Sequence, residues 1–100
     1  MLVEILAARV RRLSAHLVEA LYVPVDKRVV RRLLALCRQY GNGSRQVSLP
    51  LTQSELAEMA GATRPTVNKV LRTLEEARVI SLGRGSVQVL DRAALRQYAN

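Results

Sequence analysis

The sequence predicts a mainly α-helical protein with one small β-hairpin, on three observations. Apolar residues recur at helical spacing along several segments of the chain. Between two of these segments lie Gly61 and the capping residue Thr63, the pattern of two short helices joined by a tight turn. Two short runs rich in Val and Ile follow, separated by Gly83-Arg84-Gly85. Together these features predict a winged helix-turn-helix, preceded by a long dimerisation-type helix.

Residues 1–23 are predicted to be the end of a long dimerisation or linker helix. Their apolar residues follow a heptad seam, as in a helix that pairs with a second copy of itself. The seam residues are Val3, Leu6, Val10, Leu13 and Leu17. We therefore expect a homodimer through this helix, with packing on its own domain as the alternative. Pro24 ends the helix because it lacks an amide hydrogen and disfavours helical geometry in the residue before it.

Residues 24–100 are predicted to form the winged helix-turn-helix domain, which begins with a basic helix. Asp26 is its cap or first-turn acid, and Gly41-Asn42-Gly43 ends it. Its predicted buried side consists of Val29, Val30, Leu33, Leu34, Leu36, Cys37 and Tyr40. Its other side carries Lys27, Arg28, Arg31, Arg32 and Arg38. These cations form either a surface that faces phosphate or an ordinary solvated helix face.

The two helices of the predicted motif have clear end signals. Thr52 begins the first helix in a capping box with Glu55, and Gly61 ends it in the left-handed conformation. The apolar side of this helix consists of Leu56, Ala57, Met59 and Ala60. The second helix, over about residues 64–77, begins after the cap Thr63. Its buried stripe consists of Val67, Val70, Leu71 and Leu74.

Short extended segments flank this helix pair. Residues 46–51 precede it, and Pro50 confines them to a sheet edge or a strand end. Residues 78–82 and 86–90 follow it as the two strands of the hairpin, the predicted wing. Asp91 caps a last short helix that reaches Tyr98, and both Leu95 and Tyr98 are expected to pack inward.

The charge balance favours a polyanionic partner. Sixteen Lys and Arg stand against eight Asp and Glu, a formal net charge of +8, which indicates nucleic acid before a membrane surface. The single Cys37 excludes an internal disulfide and is predicted to be a small buried hydrophobe. No apolar run has the length of a membrane helix, and no signal-peptide pattern is recognised, so we expect a cytoplasmic protein. With one His and no nucleophile–base pair, no enzyme, metal site or cofactor is predicted.

The second helix of the motif carries its polar residues on one face, opposite the apolar stripe. Arg64, Asn68 and Lys69 lie near the N-terminal end of that face, which meets base edges when a helix enters the major groove end-first. Arg and Lys suit the acceptors of guanine, and Asn suits adenine. The predicted base-contact residues are Arg64, Pro65, Asn68 and Lys69. The sequence thus predicts a domain that binds double-stranded DNA sequence-specifically.

Residues that hold the DNA backbone are predicted at the helix starts and on the wing. Hydroxyls and free amide groups at a helix N-terminus are suited to phosphate. The predicted phosphate-contact residues are Thr52, Thr63, Thr66, Arg72 and Arg84.

The motif resembles a known family. The run L-T-Q-S-E-L-A-E-M-A-G-A-T-R-P-T-V-N-K-V-L-R-T-L-E-E-A-R-V-I-S, residues 51–81, is similar to the C-terminal winged helix of the cyclic-AMP-receptor/FNR (CRP/FNR) transcription regulators. The resemblance is most specific in E-L-A, G-A-T-R and T-V-N-K-V-L, and it extends back through R-V-V-R-R-L-L-A-L and weakly into residues 1–22. It implies base contacts by Arg64 and Lys69. Many members carry an acidic base-contacting residue where this chain has Pro65, so no member's operator sequence transfers to it.

The resemblance also implies a dimeric regulator of transcription on a near-palindromic site, with RNA polymerase as a further partner. Family members begin with a large effector-binding β-roll, which the chain lacks, so we expect a fragment of a regulator, with a stand-alone short protein as the alternative. The competing hypothesis of another class is a winged-helix protein-interaction module whose basic face docks an acidic partner.

Overall fold

The computed structural model describes residues 23–41 and 43–100. In these ranges the elements are α1 (Val25–Tyr40), β1 (Val47–Leu49), α2 (Gln53–Ala60), α3 (Arg64–Glu76), β2 (Ile80–Gly83), β3 (Ser86–Val89) and α4 (Arg92–Gln97). The predicted winged helix-turn-helix, mainly helical with a small hairpin, is confirmed. The predicted dimerisation helix lies outside the described residues, apart from Val23. None of the helices in the described ranges has the length and hydropathy of a membrane span.

A three-stranded antiparallel sheet, in the order β1–β3–β2, lies against the helices. β2 and β3 form the predicted hairpin, in which Ile80 is opposite Val89. β1 adds to the free side of β3, with Val47 also opposite Val89, and Pro50 follows directly at this sheet edge. The sequence pattern did not join this first strand to the hairpin. It pairs because Val47 and Leu49 point to the same buried face as the hairpin residues.

The core is aliphatic because the chain has no Phe or Trp. Each element contributes side chains to one cluster, as its apolar pattern predicts. The fully buried large residues are Leu33, Leu49, Leu56, Leu71, Leu74, Ile80, Leu95, Val29, Val30, Val67, Val87 and Val89. Cys37 is also buried, as predicted. Burial raises the pKa of its thiol above the usual value, although the nearby Arg92 guanidinium acts in the opposite direction. The thiol therefore acts in packing as a small hydrophobe.

Three residues that were predicted to pack inward are exposed instead. The exposed fraction is 51% for Tyr40, 40% for Met59 and 38% for Tyr98. Each lies in the last turn of its helix or directly after it, where the helix end projects beyond the core. At the start of α1, Pro24 occupies the cap position and makes no side-chain cap bond, so Asp26 is the first-turn acid and not the cap.

Two cations of α1 have a role that neither predicted alternative included. The Arg28 Nε donates to the Ala60 carbonyl at 2.9 Å, and its Nη2 donates to the Gly61 carbonyl at 3.3 Å. The Arg32 Nε donates to the Met59 carbonyl at 3.1 Å. These carbonyls belong to the C-terminal end of α2, which lacks intrahelical donors and carries partial negative charge. Arg28 and Arg32 are therefore cross-links between α1 and α2.

The Arg28 cross-link gives a prediction for stability. Arg28→Met keeps an unbranched apolar stem but removes the donors to Ala60 and Gly61, so we expect the free energy of unfolding to fall by about 1–3 kcal/mol. Urea denaturation followed by circular dichroism measures the change. Arg31→Met removes the same charge from an exposed position of the same helix and is expected to stay within about 0.5 kcal/mol of the wild type. Equal losses in the two variants would contradict the cross-link.

Candidate nucleic-acid interface

Helix α2 begins and ends as its sequence predicts. The Thr52 hydroxyl accepts from the Glu55 amide at 3.1 Å, and the Glu55 carboxylate accepts from the Thr52 amide at 3.1 Å. This capping box lowers the pKa of the Glu55 carboxyl, most strongly through the bond from the Thr52 backbone. At the other end, Gly61 adopts a left-handed φ of 64°, and the Ala62 amide donates to the Ala57 carbonyl at 2.9 Å. The chain thereby leaves the axis of α2 and turns into α3.

Helix α3 begins with an exposed N-terminal end. The Thr63 hydroxyl accepts from the Thr66 amide at 3.4 Å and lies 2.9 Å from the Thr66 hydroxyl. Pro65 stands in the first turn, where it removes no intrahelical hydrogen bond. The side chains of Thr63, Arg64 and Pro65 are exposed, and Thr66 is half-buried. The partially positive end of the helix dipole therefore faces outward, which suits an anionic ligand.

Arg64 and Lys69 are the two predicted base-contact side chains with donors available to a ligand. Both are exposed, and neither side chain makes a hydrogen bond or an ion pair within residues 23–41 and 43–100. An Arg presents five donors in a planar fork, and a Lys presents three on a flexible stem. Both side chains therefore have donors available for the acceptor groups of a ligand.

Asn68 differs from them because its amide is already engaged. Its Nδ2 donates to Gln53 Oε1 at 3.0 Å, and its Oδ1 accepts from Arg72 Nε at 3.0 Å. This chain of three polar side chains ties the start of α2 to the outer face of α3. Arg72 keeps its two terminal nitrogens for other acceptors. Contact of Asn68 with a base therefore requires the amide to share or to exchange a partner.

The wing is fastened to α3 by one carboxylate. Glu75 Oε2 accepts from the Leu82 amide of β2 at 3.1 Å. At the tip, Arg84 is exposed and Gly85 has a left-handed φ of 67°, which permits the tight turn. This bond ties β2 of the wing to the C-terminal part of α3.

The predicted site residues lie on both sides of α3. A cleft of about 260 Å³ separates its N-terminal end from the wing, and Thr52, Arg64 and Arg84 all line it. A more apolar groove of about 600 Å³ runs along the other side, between α3 and the start of α1. Pro65, Thr66 and Lys69 line that groove. The structure therefore brings Arg64 together with the wing and the start of α2, and it places Lys69 apart from them.

Two contributors to this surface escaped the sequence analysis. Gln53 positions Asn68, and Glu75 holds the wing. The sequence carries a weak indication of the role of Gln53, because it is a polar residue in the first turn directly after the cap Thr52. The sequence carries no indication of the role of Glu75, because its partner is a backbone amide seven residues later, in another element.

The sequence profile of the family described as the Crp-like helix-turn-helix domain matches residues 27–98. The CRP-like cAMP-activated global transcriptional regulator of Mycobacterium tuberculosis is 36% identical over 101 residues, which cover 98% of this chain and 45% of that protein. The cyclic AMP receptor protein of Thermus thermophilus is 39% identical over 101 residues, which cover 98% of this chain and 44% of that protein. The chain thus spans less than half the length of these curated relatives.

Solved structures agree with these similarities. The catabolite activator protein of Thermus thermophilus superposes with a TM-score of 0.67 at 37% identity, covering 98% of this chain and 44% of that one. A regulator of the Crp/Fnr family from Eubacterium rectale superposes with a TM-score of 0.80 at 24% identity, covering 96% of this chain and 43% of that one. The second likeness, at its lower identity, supports the fold alone.

The capping box gives a prediction for pH dependence. Because the folded-state pKa of Glu55 is lowered, its charge stabilises the fold above the unfolded-state pKa, and this contribution is lost as the pH falls through the folded-state pKa. Glu55→Gln keeps a side chain that can accept from the Thr52 amide but removes the charge. We expect its melting temperature to lie below that of the wild type at neutral pH and to converge with it in acid.

Thermal unfolding between about pH 2 and pH 7 measures this difference across the range in which an Asp or Glu normally titrates. Glu58→Gln is the matched control, because its exposed carboxylate lies on the same helix and accepts no hydrogen bond among the described residues. A gap between Glu55→Gln and wild type that persists unchanged in acid would rule out the charge as its cause.

Proposed function

Because this chain belongs to the Crp-like helix-turn-helix family, we propose that it is the DNA-binding domain of a transcription regulator and recognises a specific duplex sequence with α3. The observation that carries the proposal is the exposed N-terminal end of α3, with Arg64 at its tip and the wing across the adjoining cleft. Helix α3 has 13 residues and is about 20 Å long. The major groove of B-DNA, roughly 12 Å wide, accepts an α-helix.

Base contact is assigned to the N-terminal half of α3. The Arg64 fork fits the two acceptors of a guanine edge, and Lys69 fits the same edge as a point charge. The Pro65 side chain has no donor or acceptor, so it offers a base only apolar contact. Asn68 joins the base-contact set by sharing the amide that Gln53 and Arg72 hold. The proposed recognition helix, about residues 64–77, therefore relies mainly on Arg64 and Lys69, which have no side-chain partner among the described residues.

Phosphate contact is assigned to the helix starts and to two arginines around them. The hydroxyl of Thr52 accepts a capping bond and keeps its own hydrogen for a phosphate oxygen, whereas Thr63 and Thr66 share one hydroxyl–hydroxyl bond and together keep one hydrogen for it. Thr66 adds a third hydroxyl at the start of α3, and Arg72 and Arg84 add charge on its outer face and on the wing. Contacts of this kind orient the domain on the duplex and make its affinity depend on salt.

We also propose the homodimer that the seam of residues 1–22 predicts, bound to a near-palindromic site. Two-fold symmetry would place the two half-sites about one helical turn, roughly 34 Å, apart. The names of the two relatives mention cyclic AMP. We propose no effector for this chain. RNA polymerase, a cytoplasmic location and the absence of catalysis belong to the same proposal, because they accompany the regulation of transcription.

The protein-interaction hypothesis is the weaker one on this structure. It needs a basic face that docks an acidic partner, and the cationic side of α1 is one candidate for that face. Arg28 and Arg32, two of the five cations on that face, donate to carbonyls at the end of α2. Lys27 donates to the Tyr98 carbonyl at 3.0 Å. Much of that face is thus engaged within the domain.

The assignment of base contacts gives a direct prediction. A bound site is first selected from a random duplex pool with the full chain. Arg64→Ala and Lys69→Ala are each expected to weaken binding to that site by about 1–3 kcal/mol, roughly fivefold to 150-fold, as measured by fluorescence anisotropy. The affinity for an unrelated duplex should fall much less, because base contacts contribute little to it.

Two further variants separate base contact from simple charge. Arg64→Lys keeps the charge and loses the planar fork, so we expect it to lose discrimination between duplexes more than overall affinity. Arg84→Gln is expected to weaken all duplexes alike and to reduce the log–log salt slope by about one. Unchanged affinity of the Arg64→Ala, Lys69→Ala double variant for the selected site would refute the assignment of α3 as the recognition helix.

The dimer proposal is tested separately by sedimentation. The full chain is expected to sediment as a dimer at high concentration, and Leu13→Glu, in the middle of the seam, to shift it to the monomer because a charge would enter an apolar helix pair. His16→Glu is the control, since position 16 lies outside the seam in the sequence. A wild-type monomer at all concentrations would exclude pairing through this segment.

A further inference from the structure

Three arginines meet in a small pocket that the DNA-binding proposal does not use. The pocket lies between the second half of α1 and helix α4 and has a volume of about 240 Å³. It is lined by Leu34, Arg38, Arg92 and Arg96, and we call it the arginine pocket. A water occupies about 30 Å³ in the liquid, so the pocket has room for roughly eight waters or for one small anion with a few waters.

Arg92 is the innermost of the three guanidinium groups. Its Nε is buried and has no hydrogen-bond partner, the one buried side-chain nitrogen or oxygen in residues 23–41 and 43–100 in this condition. Its Nη1 lies 3.5 Å from the point that a Cβ on Gly41 would occupy, so the guanidinium sits against the end of α1. It is also close enough to the buried Cys37 to act on it electrostatically. A buried guanidinium nitrogen without a partner is therefore available at this end of α1.

The charges around the pocket are not neutralised from within the described chain. The acid next to it in sequence, Asp91, is engaged by Arg45 at 3.0 Å and by the amides of Ala93 and Ala94. Within residues 23–41 and 43–100, none of the three pocket arginines makes an ion pair. Like charges that converge on one cavity repel each other, and a buried donor without a partner is destabilising.

We propose that the arginine pocket binds an oxyanion of the phosphate type. Guanidinium groups recognise such anions through paired, charge-assisted hydrogen bonds, and three forks converge here. A bound oxyanion would accept from the Arg92 group and screen the repulsion among the three arginines. Arg38 and Arg96, which also line the pocket, are exposed to solvent.

The site is separate from the recognition surface. Arg38 is 13 positions after Val25, which lines the groove beside α3, so it lies about 20 Å further along α1. The proposal therefore does not depend on DNA binding by α3. The same chemistry has two sources, a free phosphate-type anion or a backbone phosphate of DNA that flanks the recognised site.

The test begins with inorganic phosphate and the full chain at constant ionic strength. Titration followed by ¹H–¹⁵N NMR is expected to show saturable shifts of the amides around Arg38, Arg92 and Arg96. Arg38→Gln and Arg96→Gln, both at exposed positions, are each expected to weaken phosphate binding about tenfold. Arg31→Gln removes the same charge from the same helix, two turns away from Arg38, and is expected to leave phosphate binding unchanged.

A second arm separates the two sources. The affinity of Arg38→Gln is measured for a duplex that just covers the selected site and for one extended by about one helical turn, ~10 base pairs, on each side. A loss confined to the extended duplex identifies a DNA phosphate as the anion, and unchanged affinity for both identifies a free anion. Shifts that fail to saturate, or an equal loss in Arg31→Gln, would overturn the proposal, because they indicate general attraction to a basic chain.

Discussion

The arrangement of the proposed DNA-binding surface, the N-terminal end of α3 and the adjoining wing, depends on how α2 ends. Gly61 takes the left-handed conformation that ends the helix, and carbonyls of this helix end accept from Arg28 and Arg32 of α1. The same short turn leads into the Thr63 cap of α3. The direction of α3 is therefore set by hydrogen bonds at its start as well as by the aliphatic stripe beneath it. A core without large aromatic rings benefits from such polar cross-links between helices.

Side chains outside the core then fix the parts of the surface to one another. Gln53, Asn68 and Arg72 join the start of α2 to the outer face of α3, and Glu75 joins α3 to the wing. These bonds pre-position the backbone elements while Arg64, Lys69 and Arg84 keep exposed, available donors. A surface that is ordered before binding loses less conformational entropy when a ligand arrives.

Local signals were enough to predict the helices of the motif, their caps and the hairpin. Thr52, Gly61 and Thr63 act through bonds to residues within a few positions, so their roles can be recognised in the linear sequence. The addition of β1 to the sheet could not be predicted, because its partner β3 is about forty residues away. The same limit applies to Arg28 and Arg32: their helical face was predicted, but the carbonyls they bind lie on another helix. For the candidate site, residue types could be predicted from spacing, whereas the division of Arg64 and Lys69 between two sides of α3 needed the tertiary structure.

Arg28 touches more than the end of α2. Its Nη1 donates to the Val23 carbonyl at 2.8 Å, directly before Pro24, while its Nε holds Ala60 ahead of the turn into α3. One guanidinium thus links the point where the chain joins this domain to the turn that orients α3. The free energies of these two places are coupled and cannot be additive, because any rearrangement that costs one contact alters the other. Removal of the Arg28 guanidinium therefore releases both places at once.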